Sequence, residues 1–192
     1  MTIIPRSFYS RNTTDVARDL LGKTLVRKIG RTEISGIISE TEAYGYKNDP
    51  ASHSFRGKTE RNKAMFGEVG KAYVYFTYGM HYCVNAVARD EISEAGAVLI
   101  RALIPKSGIN SMIKNRKTDE VSNLTSGPAK LTQALKITKA QYGEDLARMS
   151  RLYITDGIVI TKPMIEIRPR IGIRKATEHL WNFRINGKFL KD

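Results

Sequence analysis

Cysteine and histidine are scarce in this sequence, and their scarcity excludes several kinds of small protein. The single cysteine, Cys83, cannot form a disulfide within the chain. Three histidines (His53, His81 and His179) and one thiol do not supply the ligand set of a closed structural zinc site. We therefore expect a fold that is held together by its hydrophobic core, with no disulfide and no bound metal.

Long apolar runs are also missing. No stretch of about 18 apolar residues occurs, which is the length that a membrane-spanning helix requires. Residues 1–15 lack the basic segment followed by an apolar run that is typical of a secretory signal. These absences predict an intracellular protein without a membrane partner, located in the cytoplasm or nucleoid of a bacterium or in the nucleus of a eukaryote.

Acidic residues are few compared with basic ones. The sequence has 19 Asp and Glu against 32 Lys and Arg, which gives a formal net charge of +13. Such a surface attracts polyanions, and nucleic acid is the first candidate; a basic solubilising surface and affinity for anionic membranes are the alternatives. A length of 192 residues is ordinary for one domain, so we expect a single domain over residues 1–192 that acts as a monomer.

Short β-type runs separated by turn residues dominate the first half of the chain. The pattern predicts an amphipathic helix that Thr13 caps, followed by a hairpin that turns at residues 30–32. Residues 45–70 are rich in Gly, Asn, Asp and Ser, so a loop is expected, with a helical turn near residues 61–66. The tyrosine-rich residues 71–88 predict a second hairpin.

The second half continues the same alternation. Residues 97–104 predict a strand covered on both faces, residues 106–126 an irregular segment, and Pro128 the first turn of a helix. The runs "LYIT", "GIVI" and "MIEIRPRIGI" predict further strands. The expected fold class is therefore α+β, with mainly antiparallel strands and flanking helices.

Two glutamates follow one another at alternate positions of a predicted strand. A period of two in "ISETEAY" places Ile38, Glu40, Glu42 and Tyr44 on one face. Because glutamate is rarely buried without a partner or a task, one of this pair could act as a general base. The alternative is an exposed strand end with solvated carboxylates.

Tyrosines line the second predicted hairpin. Tyr73 and Tyr75 share one strand face, which could stack against a planar base, whereas Val74 and Phe76 share the opposite face and are expected in the core. Tyr78 falls in the turn, where little protein could cover its ring. Basic proteins use such exposed rings as wedges between base pairs, although tyrosine also favours strands for structural reasons alone.

These segments together resemble the alkyladenine DNA glycosylase family, also called 3-methyladenine or methylpurine DNA glycosylases. The resemblance runs in order from about residue 17 to residue 185. Its motifs are "ETEAY" at 40–44, an aspartate and His53 in the next loop, T-x-R-N at 59–62, "YVYFTYGM" at 73–80, Asn85, "VLIRAL" at 98–103, "GPAKL" at 127–131 and "RIGI" at 170–173.

The resemblance implies a monofunctional enzyme of base excision repair with double-stranded DNA as its partner and no cofactor. Such an enzyme flips an alkylated or deaminated purine (3-methyladenine, 7-methylguanine, hypoxanthine or ethenoadenine) out of the duplex and hydrolyses its N-glycosidic bond. It further implies one mixed domain with a curved, mainly antiparallel sheet and a protruding β-hairpin. No lysine stands in the motifs as a Schiff-base nucleophile, so strand cleavage is not expected.

The resemblance also implies roles for particular residues. Glu42 corresponds to the general base that activates water, and Arg101 to a group that positions the water and contacts phosphate, while Glu40 supports them. The base pocket corresponds to Tyr44, Tyr75, His53 and Asn85, and the residue that fills the gap in the duplex to Tyr78. Contacts with the DNA backbone or groove correspond to Thr59, Arg61, Met80, His81, Lys130 and Gly172.

Two other functions remain compatible with the residues alone. In a non-catalytic nucleic-acid-binding module, Glu40 and Glu42 would be structural. A hydrolase of free nucleosides would use the same carboxylate chemistry, but it would have no use for an exposed Tyr78 or for a net charge of +13.

Overall fold

One curved antiparallel sheet organises the part of the chain that the computed structural model describes, residues 1–189. Its strands are β1 (Thr24–Ile29), β2 (Thr32–Tyr44), β3 (Ala72–Thr77), β4 (His81–Val87), β5 (Ala97–Ser107), β6 (Leu152–Thr155), β7 (Ile165–Arg168) and β8 (Asn182–Ile185). The helices are α1 (Arg6–Tyr9), α2 (Thr13–Asp19), α3 (Ile109–Arg116) and α4 (Pro128–Ala134). This arrangement confirms the predicted α+β class.

The long strand β2 lies at the centre of the sheet. The strand order is β3-β4-β5-β2-β1-β6, and β8 pairs with the second half of β2, beyond the end of β1, while β7 pairs with β8. Strand β3 is therefore an edge strand, and the β3–β4 hairpin is held to the sheet through β4 and β5. The ends of β2, β5 and β8 meet beside this hairpin, and this brings distant parts of the sequence together.

A β-bulge in β2 changes which side chains share a face. The register against β5 shifts between Ile38 and Glu40, so one extra residue is accommodated in β2. Ile38 consequently belongs to the hydrophobic core together with Ala43, whereas Glu40 and Glu42 both reach Arg101 on the other face. The expectation that Ile38 shares a face with the glutamates was wrong, because simple alternation does not survive a bulge.

Helices α2, α3 and α4 cover one face of the sheet. Val16 of α2, Met112 of α3 and Leu131 of α4 are fully buried in a core that also contains Ile100 and Phe183 of the sheet. Burying each such side chain contributes about 1.5–3 kcal/mol. The second face is left for a smaller cluster around Met65, Tyr73 and Val87, and for a cavity.

Several sequence predictions are confirmed, and others need correction. The two hairpins, the turn at 63–66 and the helix that begins with Pro128 are present. Helix α2 is capped by the Asn12 side chain, which accepts from the Thr14 amide, rather than by Thr13. The segment predicted to be irregular, residues 106–126, contains α3. The apolar residues of α3 recur at helical spacing, but the basic residues between and after them make this pattern hard to recognise in the sequence. A single short amphipathic helix of this kind is easily overlooked.

The remaining corrections concern strands. Residues 157–160, "GIVI", form no strand; the Ile158 amide donates to the Gly22 carbonyl, and Val159 is exposed. Strand β8 was not predicted, and Phe76, expected in the core, is 47% exposed. Within residues 1–189, no helix is both long and apolar enough to cross a membrane. One domain over residues 1–192 stays a prediction, and residues 190–192 lie outside the described part.

Candidate active site

A cavity of about 250 Å³ opens between the β3–β4 hairpin, the loop after β2 and the loop after β7. This volume is slightly below the ~300–1,000 Å³ of pockets for drug-sized ligands, so the cavity suits a single planar heterocycle. Among the residues that line it are Tyr44, His53, Tyr73, Tyr75, Tyr78, Asn85, Arg101, Ile171 and Gly172.

Aromatic rings form the walls of the cavity. The His53 ring meets the Tyr75 ring edge to face, with the ring centroids 4.6 Å apart, and its Nδ1 lies 3.0 Å from the Tyr73 hydroxyl. Tyr73 is buried, and its ring centroid is 5.4 Å from that of Tyr75. Tyr44 lines the cavity from the end of β2. Flat rings brought together in this way are suited to stacking on a planar ligand.

A carboxylate–guanidinium network forms the base of the cavity. Arg101, which lines it, donates from Nε to Glu40 Oε1 and from Nη1 to Glu42 Oε2, both at 3.1 Å. Burial alone would lower the pKa of Arg101, but the charges of Glu42 and Glu40 outweigh burial and raise it. The guanidinium is therefore a permanent positive charge at this position.

Glu42 lies behind the cavity lining and is fully buried. Its Oε1 accepts from the backbone amide of Ile171 at 2.7 Å and from Asn182 Nδ2 at 3.1 Å, while Oε2 accepts from the Tyr44 hydroxyl at 2.9 Å as well as from Arg101. A carboxylate has about four acceptor positions, and these donors occupy all of them. Water could bind Glu42 only if one donor moved.

The Tyr44 hydroxyl is the donor best able to move. Within residues 1–189 it has no other hydrogen-bond partner, whereas Arg101 and Asn182 are also held by Glu40. Burial, followed by the nearby Glu42 charge, raises the pKa of Tyr44, so its hydroxyl stays protonated and remains a donor. Displacing this hydroxyl by a shift of the Tyr44 ring would open a position at Oε2 without disturbing the backbone.

A buried ion pair supports Tyr44 from behind. Arg170 contacts Asp49 through both terminal nitrogens, at 2.6 and 2.7 Å, and both side chains are completely inaccessible to solvent. The Arg170 guanidinium carbon lies 4.7 Å from the centre of the Tyr44 ring and 5.0 Å from that of Trp181. The pair therefore joins the loop after β2 to the loop after β7 and fixes one wall of the cavity.

Tyr78 lies at the mouth of the cavity and is 84% exposed. Its backbone has φ +52°, and Gly79 follows with φ +67°, so both central residues of the turn adopt the left-handed conformation. That conformation costs a bulky residue about 1–2 kcal/mol and is characteristic of tight hairpin turns. Neither the exposed ring nor the unfavourable backbone conformation stabilises the fold. Residues with such strain are found mainly at functional sites.

His53 should titrate below the ordinary histidine pKa of about 6.5. Burial, and then the charge of Arg61, lower the pKa of His53 even though part of its side chain is exposed. The folded state therefore favours the neutral ring, and this contribution to stability is complete above pH ~6.5 and is lost as the pH falls from there towards the lowered pKa. Imidazole resonances followed by NMR against pH would measure the midpoint.

The matched variants for that titration are Arg61→Gln and Lys162→Gln. Removing the Arg61 charge should raise the His53 midpoint, whereas removing the exposed Lys162, which lines no part of the cavity, should leave it unchanged. A midpoint above the ordinary value in the unsubstituted protein would contradict the prediction.

The other residues singled out by sequence are divided between the cavity and its surroundings. Asn85 and Gly172 line the cavity; Asn85 donates to the Tyr73 carbonyl at 2.9 Å, and Gly172 has φ +76°, a conformation that favours glycine. The structure does not bring the remaining five into the cavity lining: Thr59, Arg61, Met80, His81 and Lys130.

These five residues lie around the cavity. Thr59 closes a local turn with Asn62, and Arg61 donates to the Phe76 carbonyl at 3.1 Å. Lys130 is held by the Asn123 and Ser126 side chains. Met80 is exposed near the hairpin tip, and His81 begins β4. All five therefore lie outside the cavity lining.

Sequence reasoning missed three groups that hold Glu42 or Tyr44. Asn182 comes from β8, which carries no recognisable strand signal, and the Ile171 contribution is a backbone amide that no side-chain pattern reveals. Arg170 and the loop aspartate Asp49 stood in recognised motifs, but nothing in the sequence indicated that they pair with each other. Each depends on a contact between residues more than 100 positions apart.

Comparison with known proteins gives a consistent result. Residues 7–189 match the family described as "Methylpurine-DNA glycosylase (MPG)". The chain is 47% identical to the "Putative 3-methyladenine DNA glycosylase" of Carboxydothermus hydrogenoformans, over 98% of both chains. Proteins with the same name from Prosthecochloris aestuarii and Methanocella arvoryzae are 49% and 45% identical, covering 92% and 95% of this chain and 84% and 92% of theirs. The chain therefore belongs to the methylpurine-DNA glycosylase family, whose members are DNA repair enzymes that hydrolyse N-glycosidic bonds.

Proposed function

We propose that this enzyme excises alkylated or deaminated purines, among them 3-methyladenine, 7-methylguanine, hypoxanthine and ethenoadenine, from double-stranded DNA. The observation that carries the proposal is the cavity itself, in which stacking rings stand next to a buried carboxylate held by Arg101. A base inside the duplex cannot reach such a site, so the damaged nucleotide must be flipped out.

In the proposed reaction, Glu42 removes a proton from a water molecule. The water oxygen forms a bond to C1′ of the deoxyribose, the C1′–N bond breaks, and its electron pair leaves with the purine. The sugar passes through an oxocarbenium-like state, which the nearby carboxylate stabilises electrostatically. We propose that the Tyr44 hydroxyl is displaced from Glu42 Oε2 by a shift of its ring when the water binds, because all four acceptor positions are otherwise filled by the described residues.

Stacking on Tyr44, Tyr75 and His53 would hold the purine. A base alkylated at a ring nitrogen is cationic, so each electron-rich ring would favour it over a neutral base by about 1–2 kcal/mol. The charge of Arg170 behind Tyr44 does not oppose this attraction strongly, because Asp49 neutralises it at 2.6–2.7 Å. We propose that Asn85 discriminates against the exocyclic amine of normal guanine.

Tyr78→Asn should stabilise the fold while impairing excision. Asparagine tolerates the left-handed backbone better than tyrosine, so the free energy of unfolding should rise by about 1 kcal/mol. The ring that replaces the flipped nucleotide in the stack would be lost, so excision from duplex DNA should fall. Urea unfolding and single-turnover excision measure the two effects, and Tyr78→Phe, which keeps the ring, is the control. Unchanged excision by Tyr78→Asn would count against this role.

Six further residues are proposed DNA contacts. Five of them lie outside the cavity lining: Thr59, Arg61, Met80, His81 and Lys130. The sixth, Gly172, is one of the lining residues. The net charge of +13 favours such contacts with the phosphate backbone. That the enzyme acts as a monomer stays a prediction.

The decisive experiment identifies released bases. Methylated duplex DNA and a duplex with one hypoxanthine are incubated with the enzyme, and free bases are identified by mass spectrometry. Release of methylated purines or hypoxanthine is expected. If no base is released from any of these duplexes, the proposed substrates are wrong; equal activity on free nucleosides would indicate a nucleoside hydrolase instead.

A further inference from the structure

A second groove, of about 670 Å³, runs along the β3 edge of the sheet on the outer side of the hairpin. It is larger than the cavity of the candidate active site and shares one wall residue with it, Tyr75. The function proposed above uses only two of its residues, Tyr75 in the base pocket and Arg61 as a DNA contact. Its residues combine partly exposed aromatic rings with positive charges.

The aromatic part of the groove consists of Phe76, Tyr82 and Tyr142. Phe76 is 47% exposed, although an alternating strand would be expected to bury it. The ring centroids of Phe76 and Tyr82 are 4.9 Å apart, and the Tyr142 hydroxyl is fixed by the amide of Ala64 at 2.9 Å. An exposed phenylalanine that neighbouring rings hold in place offers a fixed surface for stacking.

The rim of the groove carries Arg61, Lys63 and Lys139, against one carboxylate, Glu60. Lys63 pairs with Glu60 at 2.8 Å, so Arg61 and Lys139 supply the net positive charge. Arg61 also donates to the Phe76 carbonyl on the strand edge, which occupies an acceptor that an added peptide strand would need. The groove therefore suits a polyanion with flat apolar groups better than a peptide.

We propose that this groove binds single-stranded DNA, with an unpaired base stacked on Phe76 and phosphates near Arg61 and Lys139. Proteins that bind single strands combine these two elements, aromatic platforms and a positively charged path. Tyr75 lines both the groove and the cavity, so a strand bound here would lie next to the site proposed for a flipped nucleotide. This inference goes beyond the proposed excision, and binding requires neither damage nor catalysis.

The test measures binding of an undamaged, fluorescently labelled oligothymidylate, and of an undamaged duplex, by anisotropy. Phe76→Ala should weaken binding of the single strand by a factor of about 5 or more, because one base–aromatic stack is lost, and should affect the duplex less. Lys139→Gln should reduce the slope of log affinity against log salt by about 0.7 for the single strand. Val159→Ala and Lys162→Gln, which alter exposed residues outside the groove, are the matched controls and should change neither value.

Three controls separate the loss of a base stack from unfolding of the variant and from a general phosphate contact. Thermal unfolding shows whether Phe76→Ala is folded, and Phe76→Tyr, which keeps a ring, should retain affinity if stacking is the cause. Unchanged single-strand affinity in Phe76→Ala would overturn the proposal, as would equal losses for single strand and duplex, which would indicate a general phosphate contact. Since undamaged DNA is used throughout, failure here leaves the proposed excision untouched.

Discussion

Glu42→Gln should reduce excision of a damaged purine by about 10³-fold or more, because it removes both the proposed base and the charge that stabilises the sugar cation. The DNA contacts proposed for residues outside the cavity would remain, so affinity for damaged duplex should be retained. Single-turnover excision and anisotropy on the same duplex separate the two quantities.

The same substitution should also destabilise the protein. Every donor around Glu42 points at an oxygen, so a glutamine would place its own N–H groups against Arg101 or against the Ile171 amide. Leaving buried donors unsatisfied costs about 1–3 kcal/mol, and more where a charged group is involved. Urea unfolding will show whether enough folded enzyme remains to interpret the loss of activity.

Glu40→Gln is the matched control for this prediction. Glu40 accepts from the same Arg101 and Asn182 side chains but makes no contact with the Tyr44 hydroxyl. If Glu42 is the base, Glu40→Gln should retain most of the excision rate. Equal losses in the two variants would mean that the network as a whole, and not the carboxylate at position 42, is what the reaction requires.

Arg170→Met should lower the free energy of unfolding by about 3–5 kcal/mol, because breaking a buried ion pair leaves an uncompensated charge. Asp49 is fully buried, and the methionine would offer it no hydrogen bond in place of the two from Arg170. Equilibrium unfolding in urea measures the loss. Excision should fall as well, since Tyr44 would lose the guanidinium that packs 4.7 Å from its ring centre.

Arg168→Met provides the control. Arg168 is only two positions away and pairs with Glu166 at the surface, with side chains 54% and 27% exposed, so its loss should cost at most about 1 kcal/mol. The double variant Asp49→Asn with Arg170→Met should recover part of the stability, because the orphaned charge is then absent. A loss in Arg170→Met no greater than that in Arg168→Met would contradict the structural role assigned to the buried pair.

The sequence was sufficient where local chemistry decides the structure. Alternating apolar residues and turn signals located both hairpins, and Pro128 marked the first turn of α4 correctly. The exposure of Tyr78 also followed from its place in a tight turn. Motifs that resemble a known family indicated Glu42, Arg101 and the rings around the cavity, because the residue types themselves carry that chemistry.

Only the tertiary structure decided how those residues are joined. A bulge moved Ile38 into the core, and antiparallel pairing with β8 brought Asn182 to Glu42 across 140 positions. The burial of Glu42, with all its acceptor positions filled, and the pairing of Arg170 with Asp49 follow from the same closure of the sheet. Pairing between distant strands depends on register and loop closure rather than on neighbouring residues, so no local pattern could specify it.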